Sequence, residues 1–291
     1  MKRTVVLALL TLLPAFLAAK VNVVVSILPQ KYFVEKIAGD LADVTVMVPP
    51  GASPATYEPK PSQMKALYKA RLYFAIGVPF ERAWLPRFLA QNPRLKMVDV
   101  TKGIEKMAMA GHHHEGDRES GSANGEAAVA HPDPHVWLAP PLVRTVARNI
   151  AEALIAVDGE HKTVYEKNLA RFLREIDALD ARLRKLLEPC RGKALMVFHP
   201  SWGYFAKTYG LRQIPIEIEG KEPKSRELAH LIREAKEEGV KALFVQPEFS
   251  RRAARAIAAA IGAKLLVADP LAADWSENLL HVARTICRKG E

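Results

Sequence analysis

Cysteine is nearly absent from this chain. Only Cys190 and Cys287 occur, and none of the first twenty residues is a cysteine that could carry a lipid. One long-range bridge in an oxidising compartment and two buried thiols are both compatible with so sparse a pair, and spacing does not choose between them. Beyond residue 19 no apolar run is long enough to span a bilayer. No H-E-x-x-H, P-loop or dinucleotide fingerprint occurs. Gly51-Ala52-Ser53-Pro54-Ala55 misses G-x-S-x-G, and Pro54 would hinder the sharp turn into a helix that this motif needs. The net charge of +10 comes without aromatic interleaving. Its Lys and Arg share helix faces with Glu, as in Lys167, Arg171, Arg174 and Glu175, which reads as a solvated exterior and not as a nucleic-acid surface.

What is present begins with a basic head, Met1-Lys2-Arg3, and an apolar run from Thr4 to Ala19. This is the layout of a secretory signal peptide, shorter than a spanning helix needs, with Ala18 and Ala19 suggesting cleavage before Lys20. The remainder alternates short β-branched strands with amphipathic helices. Strands are expected at 21–26, 44–48, 72–76 and 96–100, with helices at 30–38, 62–69 and 81–90 between them. The pattern returns from residue 194, with strands at 194–198, 213–218, 242–245 and 264–267. Helices at 204–209, 225–238 and 251–261 separate them, and a last helix starts at Trp275. Such alternation implies right-handed βαβ units and parallel sheets, an α/β fold in two (βα)4-like lobes. Residues 142–187 read as helix broken only near Asp158-Gly159, and the 26 residues from Lys162 to Leu187 would form a rod of roughly 40 Å. The expected organisation is therefore a signal peptide at 1–19, an N-terminal lobe at 20–157, a long connecting helix at 158–188 and a C-terminal lobe at 189–291.

Five of the nine histidines fall in one stretch, His112-His113-His114 at its start and His131 and His135 at its end, around a small, polar, acidic middle. That composition cannot build a core, and 111–131 reads as a metal-seeking loop. His135, His199 and Asp269 each follow a strand of one lobe or the other. In open α/β sheets ligands bind beyond the carboxyl ends of the strands, so facing lobes would gather these groups in one cleft. Two imidazoles and a carboxylate suit Zn²⁺ well, and Mn²⁺ or Fe²⁺ less specifically.

Several motifs, in this order, resemble the zinc/manganese-type (cluster A-I) periplasmic solute-binding proteins of bacterial ABC importers. They are Ser26-Ile27-Leu28-Pro29, Pro50-Gly51-Ala52-Ser53-Pro54 with Tyr57-Glu58-Pro59, Asp133-Pro134-His135-Val136-Trp137-Leu138, Phe198-His199-Pro200-Ser201-Trp202-Gly203, Gly220-Lys221-Glu222-Pro223 and Asp269-Pro270-Leu271. The resemblance implies two α/β lobes joined by one long helix with a metal between them, ligand positions at His135, His199 and Asp269, and no catalysis. It also implies delivery of the metal to a membrane permease from the periplasm; the lack of an early cysteine favours a non-lipidated protein, and a monomer is expected. Histidine at 199 is similar to the zinc members. The family pattern expects a histidine after Ser53-Pro54, where this chain has Ala55. Glu58, one of His112, His113 and His114, or a water would then complete the shell. The rival readings are a metal-dependent hydrolase with an open zinc position and a non-metal binding or adhesion protein of the same fold.

Overall fold

The computed structural model describes residues 20–109, 132–217 and 223–287. The His-rich segment 111–131, with His112, His113 and His114, lies outside them. The first half runs β1 (Val21–Val25), α1 (Leu28–Ala38), β2 (Ala42–Val46), α2 (Pro61–Lys69), β3 (Leu72–Ala75), α3 (Pro79–Gln91) and β4 (Lys96–Asp99). Two helices follow, α4 (Pro140–Val157) and α5 (Lys162–Leu187). The second half is β5 (Ala194–Val197), α6 (Gly203–Tyr209), β6 (Arg212–Pro215), α7 (Ser225–Glu237), β7 (Ala242–Val245), α8 (Arg251–Ile261), β8 (Lys264–Val267) and α9 (Trp275–Cys287). All strand pairs are parallel, in the orders β2-β1-β3-β4 and β6-β5-β7-β8. Each sheet thus reverses its winding beside its first strand, β1 or β5, which places a ligand crevice at the carboxyl ends of those strands.

The local chemistry explains the boundaries. All four residues of β3 are buried, as are four of five in β1, because helices cover both faces of a parallel sheet. Proline opens α2, α3 and α4, where its missing N–H is no loss. Gly210 and Gly262, at φ 71° and 72°, end α6 and α8 in the left-handed conformation that glycine adopts without penalty. The expected break near Asp158-Gly159 is a short 3₁₀ turn, Gly159–His161, whose redirection of the chain folds α5 back along α4. The strand expected over 44–48 ends earlier, at Val46. Met47 and Val48 still donate to Val25 and Ser26, so the pairing outlasts the regular strand geometry. The strand expected over 213–218 likewise stops at Pro215, after which Ile216 donates to Val197.

The long helix α5 buries Tyr165, Phe172, Ile176, Leu179, Leu183 and Leu187 on one stripe. Against this stripe lie α1 and α4 from the first half and α9 from the second. Phe33 of α1, Phe172 of α5 and Trp275 of α9 meet there, with the Phe33 and Trp275 ring centroids 5.1 Å apart, edge to face. One continuous apolar core therefore reaches from β1 to α9, while a second, smaller core sits under α7 and α8. A disulfide joins Cys190, just after α5, to Cys287 at the end of α9, with Cα atoms 5.8 Å apart.

Candidate metal centre

The carboxyl edge of the second sheet carries a polar group beyond every strand. His199 follows β5, Glu217 follows β6, Gln246 and Glu248 follow β7, and Asp269 follows β8. Chain direction produces this row, because all four strands are parallel and end on the same side. His199 is fixed from three directions. Its backbone N–H donates to Gln246 Oε1 at 3.3 Å and its carbonyl accepts from Gln246 Nε2 at 2.9 Å. The Phe249 ring lies stacked on the imidazole at 5.4 Å between centroids. Nδ1 stands 2.7 Å from Glu217 Oε2. A carboxylate only accepts, so Nδ1 carries the proton and the Nε2 lone pair is left for another partner.

His135 is built the same way from a different part of the chain. Asp133 donates its N–H to Met107, Ala108 pairs with Pro132, and a tight turn then carries His135 into the 3₁₀ segment Val136–Leu138. Asp133 Oδ1 accepts from the backbone N–H of His135 at 2.9 Å and from its Nδ1 at 2.7 Å, again freeing Nε2. Asp133 is itself pressed against the start of α6. A Cβ on Gly203 would come within 3.2 Å of Asp133 Oδ2, a contact tight enough that the Asp133 side chain would have to shift by a few tenths of an ångström. Tyr204 of α6 donates to the Asp133 carbonyl at 3.0 Å and accepts from the Met107 N–H at 2.9 Å. Trp137 Nε1 donates to the Pro270 carbonyl, and Trp275 Nε1 donates to that of Trp137.

These two frames bring the imidazoles of His135 and His199 to 5.4 Å between centroids, at 71°. Two imidazoles sharing one tetrahedral zinc at about 2.0 Å per Zn–N bond would have centroids roughly 5 Å apart, so the pair is spaced for a common ion. Burial lowers the pKa of His135 although Asp133 opposes it, and His199 lowers it further, which favours the neutral, ligating form. Asp269, raised by burial, accepts the Leu271 N–H at 2.8 Å while Asn278 holds its carbonyl. Glu248 is pushed up to about 6 by burial, then by Asp269, with His199 acting in the opposite sense.

The other sequence candidates fall elsewhere. Glu58 is exposed, and among the described residues no hydrogen bond or ion pair connects it to His135, His199 or Asp269. Ala55 occupies a turn whose N–H donates to Ser53 Oγ, and it offers no donor of its own to an ion. Among the described residues the only three groups whose ligand atoms all lie within 4.8 Å of one another are Asp158, Glu160 and His161, at the turn into α5. That carboxylate already accepts from His161 Nδ1 and Tyr165 Oη and feels the charge of Arg71, so it serves the helix junction. Sequence reasoning passed over Asp133 and Glu217. Asp133 was within reach, two residues before a histidine in Asp-Pro-His; Glu217 is eighteen residues from its imidazole and needs the β5–β6 pairing to be found.

A family model described as zinc-uptake complex component A, periplasmic, matches residues 23–288. Over 257 residues the chain is 31% identical to the high-affinity zinc uptake system protein ZnuA of Bacillus subtilis (strain 168), covering 87% of this chain and 79% of that one. Two crystal structures match at a TM-score of 0.83 and 44% identity over 92% of this chain: ZnuA, covered to 98%, and a ZnuA deletion mutant with zinc bound, covered to 96%.

Proposed function

Because the chain belongs to the periplasmic zinc-uptake component A family, we propose that it captures Zn²⁺ between His135, His199 and Asp269 and releases it to an ABC import permease. It is a solute-binding protein and not an enzyme, and zinc is its cargo. The observation that carries the site is the matched treatment of the two histidines. Each Nδ1 is held 2.7 Å from its own carboxylate, Asp133 or Glu217, so that each Nε2 is left for a common ion. Asp269 adds an oxygen donor from the neighbouring strand end. Both lobes of one copy supply these groups, which supports action as a monomer. The leader-like Met1 to Ala19, which holds no cysteine, supports delivery to the periplasm without a lipid.

Competition with a chromogenic chelator tests this assignment. His199→Ala should abolish tight Zn²⁺ binding, whereas His281→Ala, on the exposed face of α9, should leave it at the parent value. Equal behaviour of the two variants would show the site to be elsewhere.

A further inference from the structure

We propose that Glu248 is a fourth donor to the cargo metal, filling from the second lobe the coordination position for which Ala55 offers no ligand. The inference rests on the assignment of His135, His199 and Asp269 as the metal site.

The turn after β7 is built around His199. Gln246 holds the histidine backbone with two hydrogen bonds, Phe249 stacks on its ring, and Phe249 N–H closes the turn onto the Gln246 carbonyl at 3.2 Å. Glu248 lies between these two contacts. Its carboxylate is partly buried, and the charges acting on it are those of Asp269 and His199. Glu248 and Asp269 follow the paired ends of the adjacent strands β7 and β8, and both are partly buried; two such carboxylates repel each other and forgo solvation, which costs free energy unless a proton or a cation lies between them.

Coordination chemistry points the same way. Tetrahedral Zn²⁺ with three protein ligands keeps one open position. Filling it with Glu248 makes the set two neutral imidazoles and two carboxylates, whose summed charge cancels that of a divalent ion in a site withdrawn from water. A water in that position would leave the site one unit positive. Three of the four donors, His199, Glu248 and Asp269, would then come from consecutive strand ends of one sheet. No three of the ligand atoms of His135, His199, Glu248 and Asp269 yet lie within 4.8 Å of one another. Ligation therefore draws the carboxylates inward onto the ion.

The test uses the mature protein, with Zn²⁺ affinity from chelator competition and Co²⁺ as a spectroscopic probe. Glu248→Gln keeps the side-chain shape. It should weaken Zn²⁺ binding at least tenfold and change the visible absorption of the Co²⁺-loaded protein, while the thermal midpoint of the metal-free protein does not fall. Adding Ala55→His to Glu248→Gln should restore the affinity, whereas Ala55→His alone should gain little. Parent affinity and an unchanged Co²⁺ spectrum in Glu248→Gln, with His199→Ala still disabling, would overturn the role of Glu248 and leave the site assignment standing. Weakened binding with an unchanged Co²⁺ spectrum would also overturn it, because support at a distance gives that result. Retention of tight binding in His199→Ala would overturn the site assignment itself.

Discussion

Glu217 touches no cargo in this arrangement, yet it should set affinity through His199. Its carboxylate is buried, and its Oε2 lies 2.7 Å from Nδ1. This contact does two separable things: it turns the ring so that Nε2 faces the ion, and it raises the basicity of Nε2 as the imidazole donates charge to the metal. Loss of such a supporting partner costs about 10- to 100-fold in metal affinity. Glu217→Gln can keep an amide oxygen in place as an acceptor, so ring orientation survives and only polarisation is lost; the expected loss is about tenfold, or about 1.4 kcal/mol. Glu217→Ala removes both. The Phe249 stack and the Gln246 clamp still restrain His199, which keeps the loss near the upper end of that range, about 100-fold, and short of abolition. Chelator competition at fixed pH and salt measures all three proteins. The order parent, Gln, Ala is the distinguishing result. Equal affinity in all three, or Gln weaker than Ala, would refute the idea that a carboxylate orients and polarises this imidazole.

Two further outcomes follow from the rest of the molecule. Thiol titration of the denatured, unreduced protein should find no free cysteine, and Cys190→Ser with Cys287→Ser should lower stability by about 2–4 kcal/mol because the bridge closes a separation of 97 residues; two titratable thiols would contradict the bridge. Deleting 111–130 should leave the thermal midpoint nearly unchanged, because the flanking Ala108 and Pro132 already pair and can be joined by a short connection. The same deletion should remove only zinc equivalents weaker than the main site, and loss of the tight equivalent would instead make one of His112, His113 and His114 a direct ligand.

Periodicity made most of the fold legible. The central strands β1, β3, β5 and β7 are short and apolar, and α7, α8 and β8 fall within a residue of where the sequence places them. Strand order was not legible, since β1 pairs with both β2 and β3, and nothing in either segment announces which neighbour lies on which side. His199 and Asp269 were legible for the same reason as the strands, since each follows β5 or β8; His135 does not, for β4 ends at Asp99 and a turn after the Ala108–Pro132 bridge delivers it. Glu217 and Glu248 were harder to rank, because a glutamate after a strand is ordinarily solvated. In the fold Glu217 is buried against His199 and Glu248 is partly buried beyond β7. The bridge between Cys190 and Cys287 depended on α9 returning to the end of α5, a long-range packing that two isolated cysteines cannot signal.

Under the proposed assignment, the position of His135 accounts for how a chain with Ala55 would still assemble a site. By sequence His135 belongs to the first half, but its segment is held by the second. Tyr204 grips the Asp133 carbonyl, Trp137 donates to Pro270, the residue next to Asp269, and Trp275 returns a hydrogen bond to Trp137. These are buried contacts, and buried hydrogen bonds of this kind are costly to open because each would leave an unpaired group. His135 is therefore fixed to the same bed as His199 and Asp269. Ala55 instead lies in the turn after β2, on the first sheet, and none of these ties includes it. A donor there would have to be brought to the ion by the first lobe itself. Under the proposed assignment, its absence removes the contribution that depends most on how the lobes are disposed, and leaves donors whose backbones α6, α9 and the second sheet hold in place.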